Sequence, residues 1–294
     1  MKTLTVLLFV LGTLSVTAAP EPAPVAAQIN AEELMKIESD ARCGQLLVTA
    51  LVGGEPMRMM LDTGATHTVL HEESAAKIKN ARRINPNPLG MFLRKNTKQA
   101  PKMLLAALLV GPGEADMHPM AVMNLNAVRN MLAEKVDGIV GMDFLGALPF
   151  THDFRKKEYY WGVPEGASLV PLRTEPAGGG RVNVLMTCGG KELKLLLDTG
   201  STITRVPAGE WAPGVGAEII AQIGNVDSAS EQKLVEGKPG DMELAPGVVL
   251  KGVAPLLGAE GEPAILGLDA LKDAVLIHIP SATVEGGQFF MVSQ

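Results

Sequence analysis

The stretch LDTGATHTVL, Leu61 to Leu70, decides the reading of this chain, because a second version of it, LDTGSTITRV, returns at Leu197 to Val206. Each copy carries Asp-Thr-Gly, and each is entered by an apolar run, Met59-Met60-Leu61 in one and Leu195-Leu196-Leu197 in the other. An apolar run that delivers a carboxylate into a glycine turn reads as a buried strand ending at an acid. One such triplet alone is an ordinary Asx-type turn. Two of them in similar surroundings point to a pair of acids.

The surroundings repeat as well. The two acids, Asp62 and Asp198, lie 136 residues apart. The same offset places Val48 on Val184, Gly53-Gly54 on Gly189-Gly190, and Met57 to Leu61 on Leu193 to Leu197. The repeated unit is thus a hairpin with a Gly-Gly turn, a favourable pair for a tight reversal, followed by its acid. Further on, VDGIVGMDFL (Val136 to Leu145) matches EPAILGLDAL (Glu262 to Leu271), pairing Gly141 with Gly267 and Asp143 with Asp269. The offset there is 126, so the second half has the shorter insert.

Two halves that each run strand, Gly-Gly turn, strand, DTG and then an apolar-apolar-Gly segment resemble the aspartic peptidases of the pepsin and retropepsin clan. The resemblance extends from about Cys43 to the C-terminus, and the short halves look like two retropepsin subunits fused in tandem. It implies a mostly β, bilobal acid-protease fold with two pseudo-twofold-related lobes and a few short helices. It also implies that Asp62 and Asp198 form the catalytic pair, with no cofactor and no metal. Peptide hydrolysis needs an activated water and a protonated leaving amine, and two carboxyl groups sharing one proton supply both. Acids this close do not ionise together easily, so their titrations split and belong to the pair. Around them, Thr63, Gly64 and Ala65 of one loop and Thr199, Gly200 and Ser201 of the other are expected to support the site. The glycines permit close approach, the threonine hydroxyls are implied to cross to the opposite loop, and Gly141 and Gly267 pack behind. The loops differ where Ala65 faces Ser201. A Ser201 hydroxyl donating to a carboxylate would make Asp198 the more readily ionised member and Asp62 the protonated one.

Composition agrees with such a protein. The chain has 294 residues, 47% hydrophobic, enough for a sizeable core in one large or two smaller units. Its 32 Gly and 20 Pro suit a turn-rich β protein, and a net charge of −6 without a long basic run argues against a nucleic-acid partner. Residues 1–19 have the basic start, apolar middle and small-residue exit of a signal peptide, with the exit placed between 19 and 27. The apolar part is shorter than the roughly 20 residues of a membrane span. Export to the periplasm, cell surface or medium is therefore expected, with no stable membrane insertion. Residues 20–40 read as a leader containing a short helix near Ala31 to Glu38, 41–163 as the N-terminal lobe, 164–180 as a Pro/Gly-rich linker and 181–294 as the C-terminal lobe. Phe150 to Phe154 and Glu158 to Trp161 are expected to close the first lobe as a hairpin.

Competing readings are weaker. His67 and His71 lie four apart, but no HExxH accompanies them. Ser201 sits in DTGST and not in GxSxG. Asp143 and Asp269 read as helix N-terminal or turn acids. Cys43 and Cys188, the only cysteines, leave a disulfide open. The pattern departs from pepsin-like enzymes at the flap, since Tyr159 and Tyr160 both follow the first Gly segment. The flaps are expected between Ile84 and Lys102 and between Ile219 and Lys238. The expected activity is that of an aspartic endopeptidase acting on polypeptides as a monomer. A peptide-binding or scaffolding protein with little turnover is the alternative, and pairing of like lobes between two chains is the other arrangement.

Overall fold

The computed structural model describes residues 30–84, 102–224 and 229–292, and within them the protein is mostly β with a few short helices. The expected signal peptide and the expected first flap fall outside these residues. Among the described residues, no helix is long and apolar enough to cross a membrane.

The first hairpin pairs Leu46–Val52 with Glu55–Leu61 from Leu47↔Met60 to Val52↔Glu55. Its turn residues Gly53 and Gly54 both have positive φ (58° and 86°), the geometry that matches strand twist and that L side chains resist. Glu55–Leu61 then runs parallel to Gly138–Val140, so Leu61 lies opposite Val140. Val69–His71 pairs antiparallel with that same short strand and parallel with Gly113–Met123. The Lys102–Val110 strand, hairpinned to Gly113–Met123, closes back on Leu46–Val52 through Leu51↔Leu109 and Val52↔Leu108. Closure explains why Leu46, Val48, Ala50 and Val52 are all wholly buried.

The second half repeats the plan. Arg181–Cys188 and Lys191–Leu197 form a hairpin across Gly189-Gly190, and Lys191–Leu197 runs parallel to Ile265–Leu266 with Leu197 opposite Leu266. Arg205–Pro207 pairs antiparallel with Ile265–Leu266 and parallel with Leu256–Gly258. Thr202 to Thr204, ahead of this strand, belong to the turn. A long hairpin, Val215–Gly224 with Ala229–Gly237, occupies the place expected for the second flap, and its tip lies outside the described residues.

Three stretches differ from their sequence reading. Phe150–Asp153 and Glu158–Trp161 do form a hairpin, but it belongs to a sheet shared by both halves, in which Phe150–Asp153 pairs with Val275–Ile279 and Gln288–Val292 follows. The Pro/Gly-rich stretch expected as linker contributes two strands. Leu169–Pro171 edges the shared sheet, and Thr174–Gly178 pairs with Arg181–Cys188. In the first half, Ile37–Ser39, expected as part of the short leader helix, pairs with Leu46–Val52 in the same way. Ile37↔Val48 and Thr174↔Val184 are equivalent contacts, so the repeated unit begins upstream of both hairpins. One apolar core runs from Leu46 and Leu61 through Phe150 and Phe289 to Leu197 and Leu276, joining the halves.

Candidate active site

Asp62 and Asp198 sit at equivalent strand ends. The Asp62 N–H donates to Val140 O and the Asp198 N–H to Leu266 O, both at 3.1 Å, so each acid leaves its sheet at the same point. Each loop then folds onto its own carboxylate. Gly64 N–H (2.7 Å) and Ala65 N–H (3.0 Å) donate to Asp62 Oδ1, and Gly200 N–H (2.9 Å) donates to Asp198 Oδ1.

The two loops are locked to each other by their threonines. Thr63 N–H donates to Thr199 Oγ1 (3.1 Å) and Thr199 N–H to Thr63 Oγ1 (3.0 Å). Each hydroxyl passes its own proton on, Thr63 to Leu197 O (2.9 Å) and Thr199 to Leu61 O (3.3 Å). Both threonines are buried, so these bonds are made where no water competes. The glycines complete the approach. A Cβ on Gly64 would lie 2.3 Å from Asp198 Cγ, and one on Gly200 would lie 2.4 Å from Asp62 Cγ. Only a residue without a side chain leaves room for the opposite carboxyl.

Behind the loops, Gly141 and Gly267 make the contact expected of them. A Cβ there would strike the His67 or the Ile203 backbone at 2.6 or 2.5 Å. Met142 N–H donates to Ala65 O and Leu268 N–H to Ser201 O, both at 2.9 Å. Asp143 and Asp269 lie in the first turns of the short helices Met142–Leu145 and Leu268–Leu271, and each holds the end of an active-site loop. Asp143 accepts the Thr68 N–H (3.0 Å) and hydroxyl (2.8 Å), and Asp269 accepts the Thr204 N–H (2.8 Å) and hydroxyl (2.6 Å). Sequence reasoning passed over Thr68 and Thr204. The signal was present, since each lies six residues after its acid.

Electrostatics tie the two acids into a pair. Burial drives the Asp62 carboxyl well above the usual carboxylate range, and the charge of Asp198 drives it further. Burial also raises Asp198, and the Gly200 N–H that donates to its Oδ1 opposes the rise. Both carboxyls are thus raised and titrate as one pair. Asp62 receives two amide bonds, which favour its charged form, but burial outweighs them. The cause expected for an order within the pair is not met. The Ser201 hydroxyl donates to Ile203 O (2.9 Å), the carbonyl its own turn leaves open, and not to a carboxylate.

The remaining candidates have structural partners. His67 meets Thr66 Oγ1 at 2.7 Å, and buried His71 accepts the Leu125 N–H on Nδ1. Cys43 and Cys188 are both free thiols, and burial pushes that of Cys43 up to about 11.

Residues 48–147 match the family described as "gag-polyprotein putative aspartyl protease". The match covers Asp62, its loop and Gly141, and supports a retropepsin-like aspartyl protease domain with aspartic-type peptidase activity at the family level. Among curated proteins no sequence match is found.

Proposed function

We propose that the protein is an aspartic endopeptidase whose single active site is assembled from both halves of one chain. The observation that carries the reading is the reciprocal Thr63 and Thr199 exchange, which holds the two aspartates together within the chain. In this reading the Asp198 carboxylate takes a proton from a water as its oxygen bonds to the scissile carbonyl carbon, while Asp62 gives its proton to the carbonyl oxygen. The tetrahedral diol then collapses. The C–N bond breaks, Asp198 returns its proton to the departing amine, and a diol hydroxyl reprotonates Asp62. The site ends in the protonation state in which it began, as in aspartic proteases generally.

The loops contribute by holding both carboxyls in place before substrate arrives, so little reorganisation is left for the reaction itself. The test uses Asp62→Asn and Asp198→Asn, each assayed on a denatured protein mixture. Both are expected to lose cleavage, and mixing the two is expected to restore none. Cleavage regained on mixing would show a site built between chains, and cleavage retained by either variant would refute the shared mechanism. Residues 1–19 are read as an export signal on their charge and apolar pattern. N-terminal sequencing of the protein from the producing cell checks this, and an intact Met1 would contradict it.

A further inference from the structure

Each active-site loop ends at a buried threonine gripped by an aspartate, but the two grips are built differently. In the second half Thr204 gives both its N–H (2.8 Å) and its hydroxyl (2.6 Å) to Asp269 Oδ1. In the first half the bonds are divided, the Thr68 hydroxyl going to Asp143 Oδ1 (2.8 Å) and the N–H to Oδ2 (3.0 Å). Dividing them requires the Asp143 carboxylate to stand at one rotation, and the last torsion of an aspartate is soft. A further partner is needed to hold it.

His118 is in place to do so. It lies buried on Gly113–Met123, with Nε2 3.1 Å from Asp143 Oδ2 and its ring edge-on to Phe144. Both oxygens of Asp143 already accept from Thr68, so the ring nitrogen facing Oδ2 is the donor. On the same strand, Ala121 N–H donates to Thr68 O (3.0 Å), and Gly141 N–H reaches Thr68 Oγ1 (3.3 Å). Strand backbone, ring and helix start thus converge on Thr68, six residues after Asp62.

The second half keeps these parts except the histidine. Leu256 N–H donates to Thr204 O (2.9 Å) and Gly267 N–H to Thr204 Oγ1 (3.1 Å), which puts Leu256 in the place of Ala121. Three residues ahead of Ala121 stands His118, and three ahead of Leu256 stands Val253, buried and without a polar side-chain atom. There the carboxylate is turned by Ala270 N–H, which joins both threonine donors on Oδ1 (2.7 Å).

We propose that His118 is a positioning residue whose Nε2–H fixes the rotation of the Asp143 carboxylate, and through it the seat of Thr68 at the end of the Asp62 loop. A ring that only filled space against Phe144 would need no proton on Nε2. The effect on turnover rests on the peptidase reading, but the hydrogen bond is measurable without turnover.

The first measurement uses NMR of the unaltered protein labelled with 15N histidine. The ring signals of His118, assigned by their loss in His118→Gln, are expected to show a proton on Nε2. A bare Nε2, with the proton on Nδ1 alone, would overturn the proposal. The second follows the backbone N–H signals of Thr68 and Thr204. His118→Leu, which keeps bulk and loses the donor, is expected to shift the Thr68 signal and speed its exchange with solvent about 10-fold, with Thr204 unmoved. His118→Gln, whose amide can reach the same oxygen, is expected to recover most of the change. In cleavage assays His118→Leu is expected to lower kcat about 10-fold at unchanged KM, since the residue acts from behind the loop. An unmoved Thr68 signal in His118→Leu, or a glutamine variant no better than the leucine one, would overturn the proposal. Should His118→Leu not fold, the ring signals of the unaltered protein still decide it. Absence of cleavage by the unaltered protein would count against the peptidase reading, and the NMR measurements would still decide this one.

Discussion

Replacing Thr199 by Val tests the lock between the two halves with almost no change in shape. Valine fills nearly the volume of threonine, so the packing around this wholly buried position is kept and the hydroxyl alone is lost. Thr63 N–H then has no acceptor, and Leu61 O loses the Thr199 donor. A buried N–H left unpaired costs about 1–3 kcal/mol, and the second lost bond about 1 kcal/mol more, giving roughly 2–4 kcal/mol. Against the usual total of about 5–15 kcal/mol this is a large fraction. Urea unfolding followed by circular dichroism should show a lower midpoint at an unchanged slope, and Thr199→Ser should recover most of it. Loss of cleavage is expected alongside, because the acids are no longer held in register. A destabilisation below about 0.5 kcal/mol for Thr199→Val would mean that the exchange is not the joint between the halves, since even an average hydrogen bond contributes more.

Further outcomes follow from the same geometry. Gly200→Ala would place a methyl group 2.4 Å from Asp62 Cγ, so the carboxyls must separate. A fall in cleavage of about 100-fold with native circular dichroism is expected, and unaltered turnover would contradict the close approach. The carboxyl of Asp62 is raised by burial, so its contribution to stability is complete below the unfolded value and is lost as pH rises through the folded one. Asp62→Asn removes that loss, and its unfolding midpoint relative to the parent should be higher at pH 7 than at pH 3.5. His152 is buried, neither ring nitrogen has a partner among the described residues, and burial pushes it down to about 3. Its folded value is depressed, so stability present above the unfolded value near 6.5 falls as pH drops toward 3, by about 1.4 kcal/mol per pH unit. His152→Phe, continuing the stack on Phe150 at 4.5 Å, should flatten this acid slope in urea titrations between pH 6 and pH 4.

The parts of the site legible in the sequence are those whose chemistry is local. A Gly-Gly reversal, an apolar strand and an acid in a glycine turn each depend on a few consecutive residues, and their duplication at Asp62 and Asp198 marked them as a pair. After Gly141 and Gly267 the sequence left Asp143 and Asp269 as helix N-terminal or turn acids, and the structure places both in the first turns of short helices. Ile37–Ser39 and Thr174–Gly178 were not legible, because strands of three to five residues with mixed polarity carry no period to detect. The Ser201 hydroxyl was assigned to the wrong acceptor because its direction depends on the path of the turn as far as Ile203.

By itself, then, the sequence determined that there are two like units, where each begins its hairpin, and which two acids terminate them. Only the tertiary structure decided how the units join, through the shared sheet of Phe150–Asp153 and Val275–Ile279 and the crossed threonines. The physical reason is distance along the chain: contacts between residues more than a hundred positions apart, such as Gln45 with Gly200, leave no periodic trace in sequence. Burial and field at a carboxyl are sums over neighbours that only folding brings together.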